Sequence, residues 1–213
     1  MDILFEEKQK AVQALNDLKI ELHKKGWFPA TSGNLSLKVR NNPLIFAVTS
    51  SGKDKGKVTH EDILFVDKDA KPIQQTNLKP SAETKIHSKI YQNTDASCVI
   101  HIHTVNNNFL SEVFFEKGYV PIKDLEMIKA LDIWEENAYI KIPIVKNFFD
   151  LDTLAQETEK VITKKVPAVL IRNHGVYVWG KNEFEAKRHV EALEFMFEYM
   201  KNLILFKGSL NIW

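Results

Sequence analysis

Cys98 is the only cysteine of the chain, which excludes an intrachain disulfide and any zinc cluster built on cysteine. A bound metal would need histidine and carboxylate ligands. Glycine and proline are also scarce, at 8 and 7 of 213 residues. No repeat, low-complexity tract or Pro/Gly/Ser-rich linker divides the chain. One continuous domain over residues 1–213 is the expectation, since a chain with 44% hydrophobic residues can bury one sizeable core. No apolar run approaches the roughly 18 residues of a membrane span. The segment Met1-Asp2-Ile3-Leu4-Phe5-Glu6-Glu7 has no cationic stretch leading into an apolar one. A cytoplasmic protein with no membrane partner is expected. Neither sign of charge is in excess, with 29 Lys and Arg against 28 Asp and Glu, so no net field favours nucleic acid.

What the chain does have is alternating helix and strand signals. Leu4, Ala11, Leu15, Leu18 and Leu22 recur at helical spacing and Gly26 follows as a C-cap, predicting a helix from about Phe5 to Lys25. Leu35 to Val39 and Leu44 to Thr49 read as strands joined by the turn Asn41-Asn42-Pro43. Further strands are expected at Ile63 to Val66, Ala96 to His103, Tyr139 to Ile144, Ala168 to Ile171 and Val176 to Trp179. Helices are expected from Ser81 to Tyr91 and from Asp152 to Thr163. A last helix opens at Asn182, with Glu185 three residues on, and carries a stripe of Phe184, Val190, Leu193, Phe197 and Met200 for core or subunit interface. Strands joined by short turns imply a largely antiparallel sheet with helices on its faces.

His101-Ile102-His103 closes an apolar run. In a strand, residues i and i+2 face the same side about 6.7 Å apart, so two such imidazoles can share a metal ion. The pair alone is equally consistent with ordinary core or surface histidines. His174, in Arg172-Asn173-His174-Gly175, lies between two β-rich runs where a hairpin tip would present its ring to a cleft. By itself it reads as a turn histidine. His23, His60, His87 and His189 read as surface or satisfied structural groups. Three imidazoles leave one position of a tetrahedral zinc open, which is the catalytic arrangement. Thr49-Ser50-Ser51-Gly52-Lys53 combines hydroxyls, a glycine and an ammonium in the manner of a phosphate loop, without Walker spacing. Ala30-Thr31-Ser32-Gly33-Asn34 offers a second such cradle, and both are equally readable as surface turns. Lys53, Lys55 and Lys57 are alternatively a solvated charge run. Glu83 falls in the first turn of a predicted helix, where an acid commonly just favours the dipole. Periodicity gives Glu126, in Leu125-Glu126-Met127-Ile128-Lys129, no special status.

Taken in order, Ser32-Gly33-Asn34-Leu35-Ser36, Thr49-Ser50-Ser51-Gly52, Pro80-Ser81-Ala82-Glu83, His101-Ile102-His103-Thr104 and Arg172-Asn173-His174-Gly175 resemble the class II aldolase and epimerase family over nearly the whole chain. Leu125-Glu126-Met127-Ile128-Lys129-Ala130-Leu131 further resembles a branch of that family that dehydrates a phosphorylated ketose. The resemblance implies an α/β fold, a three-layer αβα with a mostly antiparallel central sheet. It also implies a homotetramer with active sites at subunit interfaces. It assigns His101, His103 and His174 to zinc (Zn2+), and Gly33, Asn34, Ser50, Ser51, Gly52 and Ser81 to the phosphate pocket, to which the loop chemistry adds Lys53. Glu126 matches the proposed acid/base. Ala82 replaces a serine typical of the aldolases, whereas Glu83 stands where those enzymes keep their catalytic or zinc-binding glutamate. Sugar-phosphate aldolase and pentulose-phosphate 4-epimerase are the alternatives, and a non-enzymatic metal-binding or interaction module is the alternative from another class. Phe114, Phe115 and Met127 are the expected lining for an apolar end of the substrate.

Overall fold

The computed structural model describes residues 3–59 and 62–209. Its strands are β1 (Asn34–Arg40), β2 (Ile45–Thr49), β3 (Ile63–Asp67), β4 (Cys98–Ile102), β5 (Tyr119–Lys123), β6 (Tyr139–Val145), β7 (Ala168–Ile171) and β8 (Gly175–Gly180). They form one eight-stranded sheet in the order β3-β2-β1-β4-β8-β7-β6-β5. Every neighbouring pair is antiparallel except β6 and β7. The helices are α1 (Phe5–Lys24), α2 (Thr84–Asn93), α3 (Val105–Val113), α4 (Leu151–Glu159) and α5 (Glu183–Ser209).

Alternation along the central strands places these helices on two faces. Cys98, Ile100 and Ile102 of β4 join Leu15 and Leu22 of α1 and Val190, Leu193 and Phe197 of α5 in one core. Val99 turns the other way, to Ile86 and Ile90 of α2 and Leu154 of α4. A period of two in the strands and 3.6 in the helices thus yields the expected three-layer αβα arrangement.

Two residues of the expected apolar stripes are exposed. Leu4 is 69% exposed because it precedes α1 as its N-cap, in extended backbone, where helical spacing no longer applies. Phe184 is 74% exposed. The inward side of α5 is set at Ala186, whose backbone packs against Gly180 so closely that a Cβ there would lie 2.4 Å from the Ala186 nitrogen. Two residues earlier is roughly 200° around the helix, which turns Phe184 outward.

Two elements were not expected from the sequence. The first turn of α3, after the N-cap Thr104 and Val105, is Asn106-Asn107-Asn108, a run of poor helix formers held by tertiary bonds. Pro121 sits within β5, opposite Lys141, and is tolerated because β5 is the edge strand of the sheet. His60 lies outside the described residues.

A buried ion pair anchors the segment that follows the Thr49 loop. Lys19 of α1, 1% exposed, meets Asp62, 3% exposed, at 2.6 Å. Asp62 also accepts from the Thr59 backbone and hydroxyl.

Candidate metal centre and substrate pocket

The histidine pair is set by β4. His101 lies opposite Tyr177 of β8 in the antiparallel register, and its ring stacks on the tyrosine with centroids 4.0 Å apart. His103 stands just past the strand end, its backbone N–H donating to the Trp27 carbonyl at 3.2 Å. His174 comes from the turn between β7 and β8, with Asn173 in the left-handed region. These three rings converge. The His101 and His103 Nε2 atoms are 2.8 Å apart, and the His174 ring centroid lies 5.1 Å and 4.7 Å from theirs. One ligand nitrogen from each ring falls within 4.8 Å of the others.

Two glycines permit this approach. A Cβ on Gly175 would meet the Ile102 carbonyl at 2.4 Å and the His103 ring at 2.8 Å, and one on Gly33 would meet the His101 carbonyl at 2.6 Å. Gly33 also holds a φ of 73°, which favours glycine. The glycines in the Ser32-Gly33-Asn34 and His174-Gly175 motifs are therefore what lets three segments close around β4.

Remote bonds orient the rings. His101 Nδ1 is 3.1 Å from the Val176 carbonyl, and His174 Nδ1 is 3.3 Å from Asn147 Oδ1. Donation from Nδ1 leaves the inward Nε2 of His101 as a lone pair, while His174 Nε2 faces Glu83. Burial pushes the His101 pKa well below the usual value and that of His103 down to about 4, so both rings are neutral, the form that ligates metal.

Glu83 sits at the N-cap position of α2. Its Oε1 is 3.1 Å from His174 Nε2 and its Oε2 is 3.7 Å from His101 Nε2. Asn34 Nδ2 donates to Glu83 at 2.6 Å and to the Ser81 hydroxyl at 2.8 Å. Burial opposes the charge of Glu83, but the bond to His174 and the surrounding imidazoles more than offset it and hold the carboxyl below its ordinary range. Neutral imidazoles facing one another beside an anionic carboxylate make a donor set that suits a divalent cation.

The hydroxyl loops lie beside this group. The Ser50 N–H donates to the Asp62 carbonyl at 2.7 Å, and the Ser51 N–H to that of Lys79 at 2.9 Å. Ser50 and Pro80 form a β-bridge. The Thr49 to Gly52 loop, the Pro80 to Glu83 segment and Asn34 are thereby brought together.

The lysines, read either as phosphate-binding or as one solvated run, divide. Lys57 has a side chain 78% exposed and Lys53 is half-buried. Lys55 is 3% exposed, and its ammonium donates to the Thr31 carbonyl at 2.8 Å. Ala30 and Thr31, which shape that carbonyl's approach, have φ of 51° and 62°. Such conformations are costly for residues with a Cβ and gather at functional sites. Burial, followed by the nearby Lys19, lowers the Lys55 pKa. Lys55 is a buried cation that a run of exposed-looking lysines concealed.

A polar network beneath the cluster also escaped the sequence. Glu194 of α5, 4% exposed, accepts from the Thr104 hydroxyl at 2.8 Å and from Asn107 Nδ2 at 3.0 Å. Burial pushes its pKa up to about 7. Asn108 Nδ2 donates to the carbonyls of Thr104 at 3.0 Å and His174 at 3.1 Å. The exit of β4 and the β7–β8 turn are thus tied to each other through Asn108. Thr104 followed by Asn107 carries a faint capping signal, whereas nothing local marks Glu194.

Glu126 stands apart. It begins a 3-10 helix, Glu126–Leu131, beyond β5. Its side chain is 82% exposed and pairs with Lys129 at 2.7 Å. Phe114 and Phe115 pack on the core, with the Arg172 guanidinium 4.0 Å over the Phe115 ring. Met127 borders a hollow with Glu126. None of these three lines the groove beside His103, whose walls come instead from Trp27 and α3. A second cluster of Asp132, Glu185 and His189 has the Arg188 guanidinium on Asp132, so that carboxylate already has its cation.

Residues 13–200 match the Class II Aldolase and Adducin N-terminal domain family, and the chain belongs to that family. At 71% identity, with 98% of this chain and 97% of the other aligned, it is similar to a methylthioribulose-1-phosphate dehydratase of Persephonella marina. A protein of the same name from Geobacillus kaustophilus is 51% identical, over 95% of this chain and 97% of its own. The fold is shared with the L-fuculose-1-phosphate aldolase of Thermus thermophilus, at a TM-score of 0.72 and 24% identity, covering 94% of this chain and 98% of that one. Among the described residues, no helix is long and apolar enough to cross a membrane.

Proposed function

We propose that this protein is a cytoplasmic zinc-dependent hydro-lyase that dehydrates 5-methylthioribulose 1-phosphate to 2,3-diketo-5-methylthiopentyl 1-phosphate, a step of methionine salvage. The observation that carries this reading is the convergence of His101, His103, His174 and Glu83 beside the hydroxyl loops. The names of the two relatives support the substrate.

His101, His103 and His174 would hold the zinc. When bound, zinc supplies Lewis acidity that draws electron density from the ketose oxygens. Gly33, Asn34, Ser50, Ser51, Gly52, Lys53 and Ser81 make up the phosphate end of the pocket. Glu126 takes the proton from C3 and returns it to the C4 hydroxyl, which leaves as water. The electron pair of the C3–H bond ends in the C3=C4 double bond of an enol, and ketonisation gives the diketone. Glu83 stays ionised and orients Asn34, whose amide also donates to Ser81. A carboxyl held below its ordinary range is a poor proton carrier.

Glu126 reaches the cluster from a neighbouring copy in a homotetramer with active sites between subunits. Two observations support this: Glu126 is exposed on the edge of the chain, and it borders an apolar hollow with Met127, Ala130, Phe195 and Tyr199. Phe195 and Tyr199 are 55% and 47% exposed, and clustered exposed apolar side chains mark contact surfaces.

Glu83 within the cluster favours one second reading, carbon-carbon cleavage by an aldolase. Incubation with 5-methylthioribulose 1-phosphate and identification of products separates the two. The dehydratase gives the diketone, whereas cleavage between C3 and C4 gives dihydroxyacetone phosphate and methylthioacetaldehyde. Zinc binding with the ketose left intact would overturn both in favour of a binding module.

A further inference from the structure

A groove of about 900 Å³ opens beside His103, between the turn that follows α1 and the outer face of α3. None of the groups assigned above to zinc, phosphate or proton transfer occupies it apart from His103 itself. Its walls include the half-buried rings of Trp27 and Phe109, and Val113 lies at its rim. The His103 backbone N–H is bonded to the Trp27 carbonyl at 3.2 Å, which holds the exit of β4 against the turn that follows α1.

Three asparagines also border the groove, but their amide N–H groups are engaged elsewhere, that of Asn173 on Glu112 at 2.6 Å. Asn108 donates to the carbonyls of Thr104 and His174, and Asn106 is held by Glu194 at 3.4 Å and by Lys201. Lys25, Glu112 and Glu198 also border the groove, and most of its exposed lining is apolar.

A chain of contacts links this groove to the rest of the site. Ser81 is bonded to Asn34, Asn34 to Glu83, Glu83 to His174, and the histidines meet one another. His103 then meets Trp27. The hydroxyl loops and the groove stand at opposite ends of that series, with the histidine cluster between them.

We propose that this groove is the subsite for the apolar alkylthio end of the substrate, with Trp27 and Phe109 as its aromatic walls and Val113 closing its rim. The proposal rests on the dehydratase reading and names the residues that give that site its specificity. The substrate is linear: phosphate on C1, oxygens on C2, C3 and C4, and the thioether on C5. With the phosphate at the serine loops and the C2 and C3 oxygens at the histidines, C5 extends past His103 into the groove. A thioether sulfur makes favourable contacts with aromatic rings, and the terminal methyl leaves water. A C5 hydroxyl in the same place gains neither.

The test uses the full zinc-loaded protein and two substrates, 5-methylthioribulose 1-phosphate and ribulose 1-phosphate, which differ only at C5. Apolar pockets discriminate by about 10-fold to 200-fold per small group, and the unsubstituted protein should prefer the methylthio substrate in kcat/KM by a factor in that range. Phe109→Ala should lower this preference about tenfold or more, mainly through a rise in KM for the methylthio substrate. Val113→Trp, at a position 49% exposed where bulk does not threaten folding, should lower it as well by filling the rim. An unchanged preference in both variants overturns the subsite. So does an equal fall for the two substrates, which would mean a structural role, or a groove covered by a second copy if sedimentation also shows the assembly weakened. If the unsubstituted protein forms no diketone at all, the dehydratase reading itself fails and the subsite with it. Diketone formation with unaltered preference in the variants would sink the subsite alone.

Discussion

At the junction of β4 and β8, His101 is fully buried, stacked on Tyr177 and bonded through its remote nitrogen. Glu126, on a short 3-10 helix beyond the edge strand, is 82% exposed and touches a lysine of its own turn. The first region has the properties of a preorganised ligand set, whose geometry is settled when the sheet forms. The second has those of a surface that takes its final environment from something else. A single chain therefore contains the proposed metal chemistry in full but not the proposed proton transfer. Assembly, in this reading, joins two halves that folding leaves apart.

The largest effect should come from dismantling the first half. His101→Ala or His174→Ala leaves two imidazoles, and metal analysis should find bound zinc lost together with all measurable turnover. A His174→Ala protein with full zinc and activity would remove that residue from the ligand set.

Glu126→Gln strikes the second half. Zinc content should persist while turnover falls by about 10² to 10⁴. Mixing subunits of Glu126→Gln with subunits of His174→Ala, each inactive alone, should restore turnover if the glutamate serves a neighbour's cluster. Failure of mixed oligomers to recover any activity would place Glu126 and the histidines it serves in the same chain, or out of the reaction.

Glu194 tests how much of the first half depends on buried support. Its pKa is raised from 4.5 to about 7, chiefly by burial. An acid whose folded pKa is raised favours folding in its protonated form. That stability is full below about pH 4.5 and is lost as pH climbs through about 7, a change of about 3 kcal/mol by linkage. Urea unfolding at pH 4.5 and pH 8 should show Glu194→Gln losing less stability over this interval than the unsubstituted protein. Equal pH dependence in the two would rule out Glu194 as the source.

The smallest expected effect is Asn147→Ala, which removes the partner of His174 Nδ1. Groups that orient metal ligands typically contribute about 10-fold to 100-fold in affinity or activity. Titration with a competing chelator should show zinc held more weakly, with the fold intact. Unchanged zinc affinity would mean that the turn geometry alone orients His174.

Most of the strands, four of the five helices and the spacing of the first two histidines were legible in the chain itself. Those features depend on local periodicity, and a period-two run ending in His101-Ile102-His103 presents both rings on one side wherever the strand lies. The glycines of the motifs were readable as punctuation, and the structure adds what each one clears. α3 was not legible, because three consecutive asparagines oppose a helix unless Glu194, Ile102 and His174 take up their amides. Nor was Lys55 separable from Lys53 and Lys57, since burial of a cation depends on which carbonyl the Ala30-Thr31 backbone turns toward it. Long-range packing alone puts His174 and Glu83 beside the β4 pair and leaves Glu126 away from it. The reason is that strand order is not chain order: β4 pairs with β8, far along the chain, while β5, the next strand in sequence, lies at the far edge of the sheet.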